Sequence, residues 1–272
     1  MFRTKRFMLL IILFMAIIVC AVLKRTYHSD PSPITASESA VTAVPVVTSS
    51  VAAAEIAVPT SVRTTEPDAE VPYVSLSRYE EIKERMQLLQ DSCEDFVGWL
   101  YVADSEMDLP VVQGEDNEYY LSHAPDGTYI NEGTIFLDCM NSRDLSDMHN
   151  VLFGHNMTSG MFGDIRSYKE REEFDRHRYG WFFTPDTTYR IDFFALSVVS
   201  TYDVVYDIGS EHGEWLDCIY AKAVYTSDIV PDESDRLIAL STCASDFANA
   251  RVVFTGVLVP IENEEEIVEQ IQ

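Results

Sequence analysis

RLIALSTCASDFANARVVFTGVLV, residues Arg236 to Val259, reads as two strands joined by a loop. The first, Arg236 to Thr242, is short, apolar and compatible with a buried pleated surface; the second, Arg251 to Val259, is rich in Val and Phe. Cys243 stands where the first strand ends, and Arg251 where the second begins. In an antiparallel hairpin, the loop Ala244 to Ala250 leaves both side chains at one end of the sheet. A thiol and a guanidinium on rigid strand ends form half of a reactive site. The missing part is a base.

Six histidines are available. His28 lies in a low-complexity stretch, and His123, His177 and His212 sit in polar, charged segments where a solvated histidine is the usual outcome. His149 falls in the turn before a strand and reads as surface. His155 differs, because it ends the apolar run Asn150-Val151-Leu152-Phe153-Gly154, directly after a glycine, the same kind of place that Cys243 occupies. The three side chains have complementary chemistry. A free thiol has a pKa of about 8.5 and is only slightly ionised at neutral pH, so a neighbouring imidazole that takes its proton raises its reactivity. That imidazole can then protonate a leaving amine. The permanently charged Arg251 can hold a carbonyl or the oxyanion that develops from it. Structural readings stand beside these: cysteines are among the most buried residues, and an arginine at a strand start often pairs with a surface acid.

Other chemistries have less support. The cysteines, Cys20, Cys93, Cys139, Cys218 and Cys243, are scattered without a C-x-x-C pair, which fits neither a disulfide scaffold nor a zinc motif. A set of Cys139, His149 and His155 lacks recurring metal-ligand spacing, so no metal and no cofactor is expected. Gly154, Gly160 and Gly163 are not spaced as a phosphate loop. A net charge of −26 disfavours nucleic acid as a partner, since phosphate contacts need basic stripes.

Along its 272 residues the chain divides by composition. Residues 1–6 carry Arg3, Lys5 and Arg6, and Phe7 to Leu23 is an unbroken apolar run closed by Lys24 and Arg25. No small-residue cleavage site follows, so 7–23 reads as an uncleaved transmembrane signal anchor. A cytoplasmic N-terminus and an extracellular remainder complete the expectation of a single-pass protein of the cell membrane. Residues 24–74, rich in Ser, Thr, Ala, Val and Pro, read as a flexible stalk. The folded domain is expected over 75–261, and 262–272 is an acidic tail. Ser77 and Glu80 have the spacing of a capping box opening a helix with Tyr79, Ile82, Met86 and Leu89 on one face. Phe96–Leu100 reads as a further short apolar element packing under that helix, and short apolar runs then recur at Leu109–Val112, Gly133–Asp138, Asn150–Gly154, Thr188–Ser200 and Ile219–Tyr225, which predicts strands. Tyr168 to Arg178 reads as a charged, solvated helix, and Glu211 to Leu216 as a short one. The pattern is mainly β, a barrel or sandwich with peripheral helices.

Several motifs resemble those of the class B sortases, cysteine transpeptidases of Gram-positive cell surfaces. They are LSTC at Leu240 to Cys243 with Arg251 beyond it, and FGHNM at Phe153 to Met157 followed by SGMFGDIRSY at Ser159 to Tyr168. Upstream stand GWL at Gly98 to Leu100, LPVVQGEDNEYYLSH at Leu109 to His123 and GTIFLD at Gly133 to Asp138. The resemblance covers Ser75 to Val259 and implies an eight-stranded sortase-type β-barrel with N-terminal helices. It also implies an extra helix between the sixth and seventh strands, at Gly209 to Asp217. It carries catalytic roles onto His155, Cys243 and Arg251, and substrate-binding roles onto Asn117, Leu121, Ser241 and Thr242. The implied reaction cleaves a C-terminal sorting signal after threonine, passes through a thioester and transfers the surface protein to an amine. That amine belongs to a peptidoglycan precursor or to a pilin lysine. A surface cysteine peptidase, or an inactive peptide-binding barrel, are the alternatives. Where some class B enzymes carry an acid directly after the cysteine, this chain has Ala244.

Overall fold

The computed structural model describes residues 74–261. The expected basic end (1–6), anchor (7–23) and acidic tail (262–272), with all but the last residue of the stalk, lie outside the described residues. The expectation of a single-pass membrane protein is corrected here: no helix among the described residues is long and apolar enough to cross a membrane.

Helix α1 (Leu76–Ser92) opens the described part. Its cap is Ser75 rather than the expected Ser77. Ser75 has extended backbone angles and its hydroxyl oxygen accepts from the Arg78 N–H, while Ser77 already lies within the helix. Tyr79, Ile82 and Met86 are buried on one face, as the spacing predicts. They pack on Phe96 and Trp99 of β1 (Phe96–Tyr101) and on Trp181 and Phe183 of β5 (Tyr179–Phe183).

The remaining strands are β2 (Asp108–Val112), β3 (Ile135–Leu137), β4 (His149–Phe153), β6 (Thr188–Ser200), β7 (Ala223–Thr226), β8 (Leu237–Cys243) and β9 (Ala250–Ile261). Hydrogen-bonded neighbours run β5-β1-β2-β3-β4-β8-β9-β6, and β6 pairs back onto β5. Eight strands therefore close a barrel, and closure leaves no free edge within the ring. The ninth strand, β7, lies outside it. β6 is long enough to serve both purposes: Thr188–Asp192 pair with β5, while Ala195–Ser197 pair with β7. Two ladders are parallel, β2 with β3 and β4 with β8; the others are antiparallel.

Strand alternation sorts the side chains of this ring into two layers. Leu100, Val111, Ile135, Leu152, Phe182, Phe193, Ile238, Leu240 and Phe254 fill the barrel interior. On the outside, Leu237 and Ala239 of β8 and Val253 of β9 meet Trp215 and Ile219 of helix α3 (His212–Ala221). β8 is thus buried on both faces, which is why LIALSTC reads as a continuous apolar run.

Three local expectations are corrected. Ile219 to Ala221 finish α3 and do not begin a strand; the strand starts only at Ala223. The charged stretch Tyr168 to Arg178 holds the end of a 3-10 segment (Gly163–Lys169) and the short helix α2 (Arg171–Arg176). Its charges face water, but Tyr168 and Phe174 are fully buried in the core. His149 is buried, not a surface residue. Its ring stacks on Trp215 with centroids 4.8 Å apart, and its Nε2 lies 3.1 Å from Nδ1 of His212. Burial, and secondarily His212, push its pKa down to about 4, against a smaller opposing pull from Asp147.

That pair makes stability fall with acid. Below about pH 6.5 the unfolded chain protonates His149 while the folded chain does not, so the unfolded state binds more protons. Stability is therefore lost as pH drops from about 6.5 towards 4, by on the order of 2 kcal/mol. Denaturant titrations across this window are expected to show a shallower pH slope in His149→Phe than in the parent. Equal slopes would exclude His149 as the source.

Candidate active site

The site forms where three strand ends meet. β4 runs through Phe153 to Gly154 and His155. Gly154 sits so close to its neighbours that a Cβ would lie 2.3 Å from Ile135 Cδ1 and 2.7 Å from the Phe162 ring. This close approach to Ile135 of β3 and to Phe162 favours glycine. Its N–H donates to the Ser241 carbonyl at 3.2 Å, and the Thr242 hydroxyl donates to the Gly154 carbonyl at 2.8 Å. Cys243 ends β8 and is register-paired with Arg251 on β9. Ala244 N–H donates to the Ala250 carbonyl at 3.0 Å and so starts the loop beyond.

These ends open on a groove of about 490 Å³. Every site residue named from the sequence lines it: Asn117, Leu121, His155, Ser241, Thr242, Cys243 and Arg251. A larger groove of about 610 Å³ lies between α1 and the β5–β6 turn, but it has no thiol or imidazole, so the chemistry favours the smaller one.

Cys243 is exposed and unpaired. Cys93, Cys139 and Cys218 are also free thiols but more enclosed, and burial pushes each of them up in pKa. The His155 Nε2 lies 2.8 Å from the Leu121 carbonyl oxygen. A carbonyl only accepts, so Nε2 carries the proton in the neutral ring and Nδ1 is left as the acceptor. Leu121 therefore contributes through its backbone as well as its side chain. The Arg251 Nη1 donates to the Ala250 carbonyl at 2.9 Å, and among the described residues Arg251 enters no salt bridge.

The other expected residues are tied to the frame. Asn117 Oδ1 accepts from the Cys139 N–H at 2.8 Å, which fixes the amide plane. Ser241 is buried, and its hydroxyl lies 2.8 Å from that of Tyr206. The Thr242 hydroxyl is spent on Gly154, so Ser241 and Thr242 shape the wall with hydroxyls already engaged.

Two lining residues were not visible in the sequence, Thr201 and Tyr206. Both belong to the connection from β6 to α3, a polar stretch without periodicity. Burial pushes the Tyr206 phenol up to about 12, partly offset by Ser241 and the Arg251 charge, so it stays protonated and neutral. Its ring stacks on Phe153 with centroids 6.0 Å apart. A Lys222–Asp203 salt bridge braces this connection against the end of α3. The loop after Cys243 is fastened by Lys169 to Asp246 at 2.6 Å, and Ala244 packs against the barrel core.

A closed eight-stranded barrel with an exposed thiol, an imidazole and a guanidinium that forms no salt bridge among the described residues, all on converging strand ends, defines a class, the cysteine acyl-transfer barrels. No family model matches the chain. It is 32% identical over 186 residues to sortase B of Listeria monocytogenes, an alignment that spans 66% of this chain and 76% of that protein. The chain belongs to the sortase B family and is a cysteine transpeptidase. A Streptococcus pyogenes class B sortase involved in pilus biogenesis superposes with a TM-score of 0.58 at 27% identity, covering 64% of this chain and 97% of that one. The Staphylococcus aureus sortase B–substrate complex gives a TM-score of 0.62 at 23% identity, over 68% and 90% of the two chains, a likeness of fold.

Proposed function

We propose that the groove binds a C-terminal sorting signal of a surface protein and that His155, Cys243 and Arg251 carry the transfer. The Cys243 thiol passes its proton to Nδ1 of His155, and the sulfur attacks the carbonyl carbon that follows a threonine. The developing oxyanion is stabilised by the Arg251 guanidinium. As the C–N bond breaks, His155 gives its proton to the departing amine, which leaves a thioester on Cys243. An incoming amine loses a proton to His155, attacks the thioester and releases the thiol. Asn117, Leu121, Ser241 and Thr242, with Thr201 and Tyr206, line the path of the peptide.

The observation that carries this reading is the register pairing of the exposed Cys243 with Arg251, on the strand that lies parallel to the one leading into His155. The amine is drawn from a peptidoglycan precursor or from a pilin lysine; pilus biogenesis of the Streptococcus pyogenes relative supports keeping the second source. A peptide library incubated with the protein, with and without a primary amine, and read by mass spectrometry tests the reading. Cleavage after threonine is expected, with an amide adduct when amine is present and slow hydrolysis when it is not. Acid products alone with every amine offered would indicate a peptidase. No cleavage of any peptide would favour a binding barrel.

A further inference from the structure

We propose that Asn156 is a positioning residue for the nucleophile, acting through the backbone of Cys243. The inference rests on the reading of Cys243 given above. In the parallel ladder of β4 and β8, the Gly154 N–H donates to the Ser241 carbonyl. The next rung falls two residues further along both strands, between residue 156 and the carbonyl of Cys243. The backbone does not make it. After His155 the main chain turns away: the His155 carbonyl accepts from the Phe162 N–H, and Asn156 bridges back to Met161. The side chain makes the rung instead, with Asn156 Nδ2 donating to the Cys243 carbonyl at 2.6 Å. A side-chain amide thus carries the ladder one step past the end of the strand.

Two details make this contact specific. The Asn156 Oδ1 is buried with no hydrogen-bond partner among the described residues, so no competing bond there sets the amide's orientation. Flipping the amide would oppose two carbonyl oxygens, so only the donor face fits. Beyond the Thr242 hydroxyl, which reaches the Gly154 carbonyl, this bond is what ties the Cys243 end of β8 to the β4 side; on the β9 side the Ala244 N–H donates to the Ala250 carbonyl. The adjoining His155 is held to the Leu121 carbonyl. A two-residue unit therefore fixes the imidazole on one side and the thiol-bearing strand end on the other, and small misplacements of reacting groups are costly in rate.

The test compares Asn156→Ala, Asn156→Asp and the parent in peptide cleavage, with thermal melts to verify folding. Asn156→Ala is expected to lose about tenfold in kcat with KM changed less than about twofold, because geometry and not peptide contact is affected. Asn156→Asp has the same shape, but its carboxylate cannot donate to a carbonyl. Its rate relative to the parent is expected to be low at neutral pH and to rise as pH falls through the carboxylate range, where the protonated acid donates an O–H. A merely structural role would not produce that recovery. A kcat for Asn156→Ala within twofold of the parent, or an aspartate ratio that does not change with pH, overturns the proposal. Should the alanine variant not fold, the aspartate ratio alone decides. Turnover retained in Cys243→Ala would overturn this proposal and the site reading together. An inactive Cys243→Ala beside unaffected Asn156 variants would remove only the role of Asn156.

Discussion

Exchange of Cys243 for alanine is expected to lower turnover by about 10⁴-fold or more, because Cys243 is the one thiol among the groove's described lining residues. The fold is expected to survive. Cys243 is exposed at a strand end, and surface changes of this kind stay within about 0.5 kcal/mol. Arg251→Lys separates charge from geometry at the same place. Lysine keeps one positive charge but lacks the planar fork that can hold a carbonyl oxygen and the Ala250 carbonyl at once. A loss of about 100-fold in kcat/KM is expected, the scale on which removal of an oxyanion donor is felt. Since Arg251 holds no salt bridge among the described residues, its melting point should stay near that of the parent. Steady-state kinetics with a cleaved peptide, beside labelling by a thiol-directed sulfone, checks both variants. Near-normal turnover in Arg251→Lys would show that the guanidinium does not hold the developing charge. A labelled but fully active Cys243→Ala would move the nucleophile to another cysteine.

Gly163→Ala is expected to destabilise the protein by roughly 3 kcal/mol or more. The added Cβ would lie 2.1 Å from the Met157 carbonyl oxygen and 3.0 Å from its carbonyl carbon. Backbone has no flexible end to move aside, so the loop from Met157 to Phe162 must shift as a whole. That loop has little freedom. Its Gly160 and Met161 have positive φ, and its Ser159 and Gly160 donate to the Glu106 carboxylate. It also follows directly on His155 and Asn156, so activity should fall further than stability alone explains. Gly213→Ala in α3 provides the comparison, since a Cβ there meets nothing within 4 Å. It is expected to be neutral or stabilising by up to about 1 kcal/mol. Urea unfolding of the two variants measures the contrast. Equal stabilities would mean that the loop yields easily.

The strands that bear the proposed site were legible because they are buried on both faces. β8 and β9 show as apolar runs whatever their partners, and the predicted β6 has the same bounds as the observed strand. The site residues followed from strand ends and from motifs quoted residue by residue. What escaped depends on tertiary context. β5 was not read as a strand, since Tyr179–Phe183 follows directly on a charged stretch, yet its pairing with β6 closes the barrel. His149 reads as polar in one dimension; only the docking of α3, with Trp215 and His212, makes its position an interior one. Ile219 to Ala221 is as β-permissive as it is helical, and a buried Ile219 against the barrel tips it to helix. Ser75 displaced Ser77 as cap for a local reason, one hydroxyl reaching one N–H. Tyr206 was hidden because the connection bearing it has no period, only a destination.

Asn156 and the carbonyl it reaches on Cys243 are 87 residues apart in the chain, joined by a parallel ladder and not by a hairpin. Such distant pairings form late, after much loop entropy has been lost. A chain emerging from its N-terminal end holds the imidazole of His155 long before the thiol exists, and holds the thiol before the guanidinium of Arg251. β5, the early half of the barrel's closing seam, likewise waits for β6. Until the final hairpin docks beside β4, Cys243 is an ordinary cysteine on an unfinished strand. On the proposed role of Cys243, the site is thereby assembled only at completion: a truncated or half-made copy carries parts of it but not their arrangement.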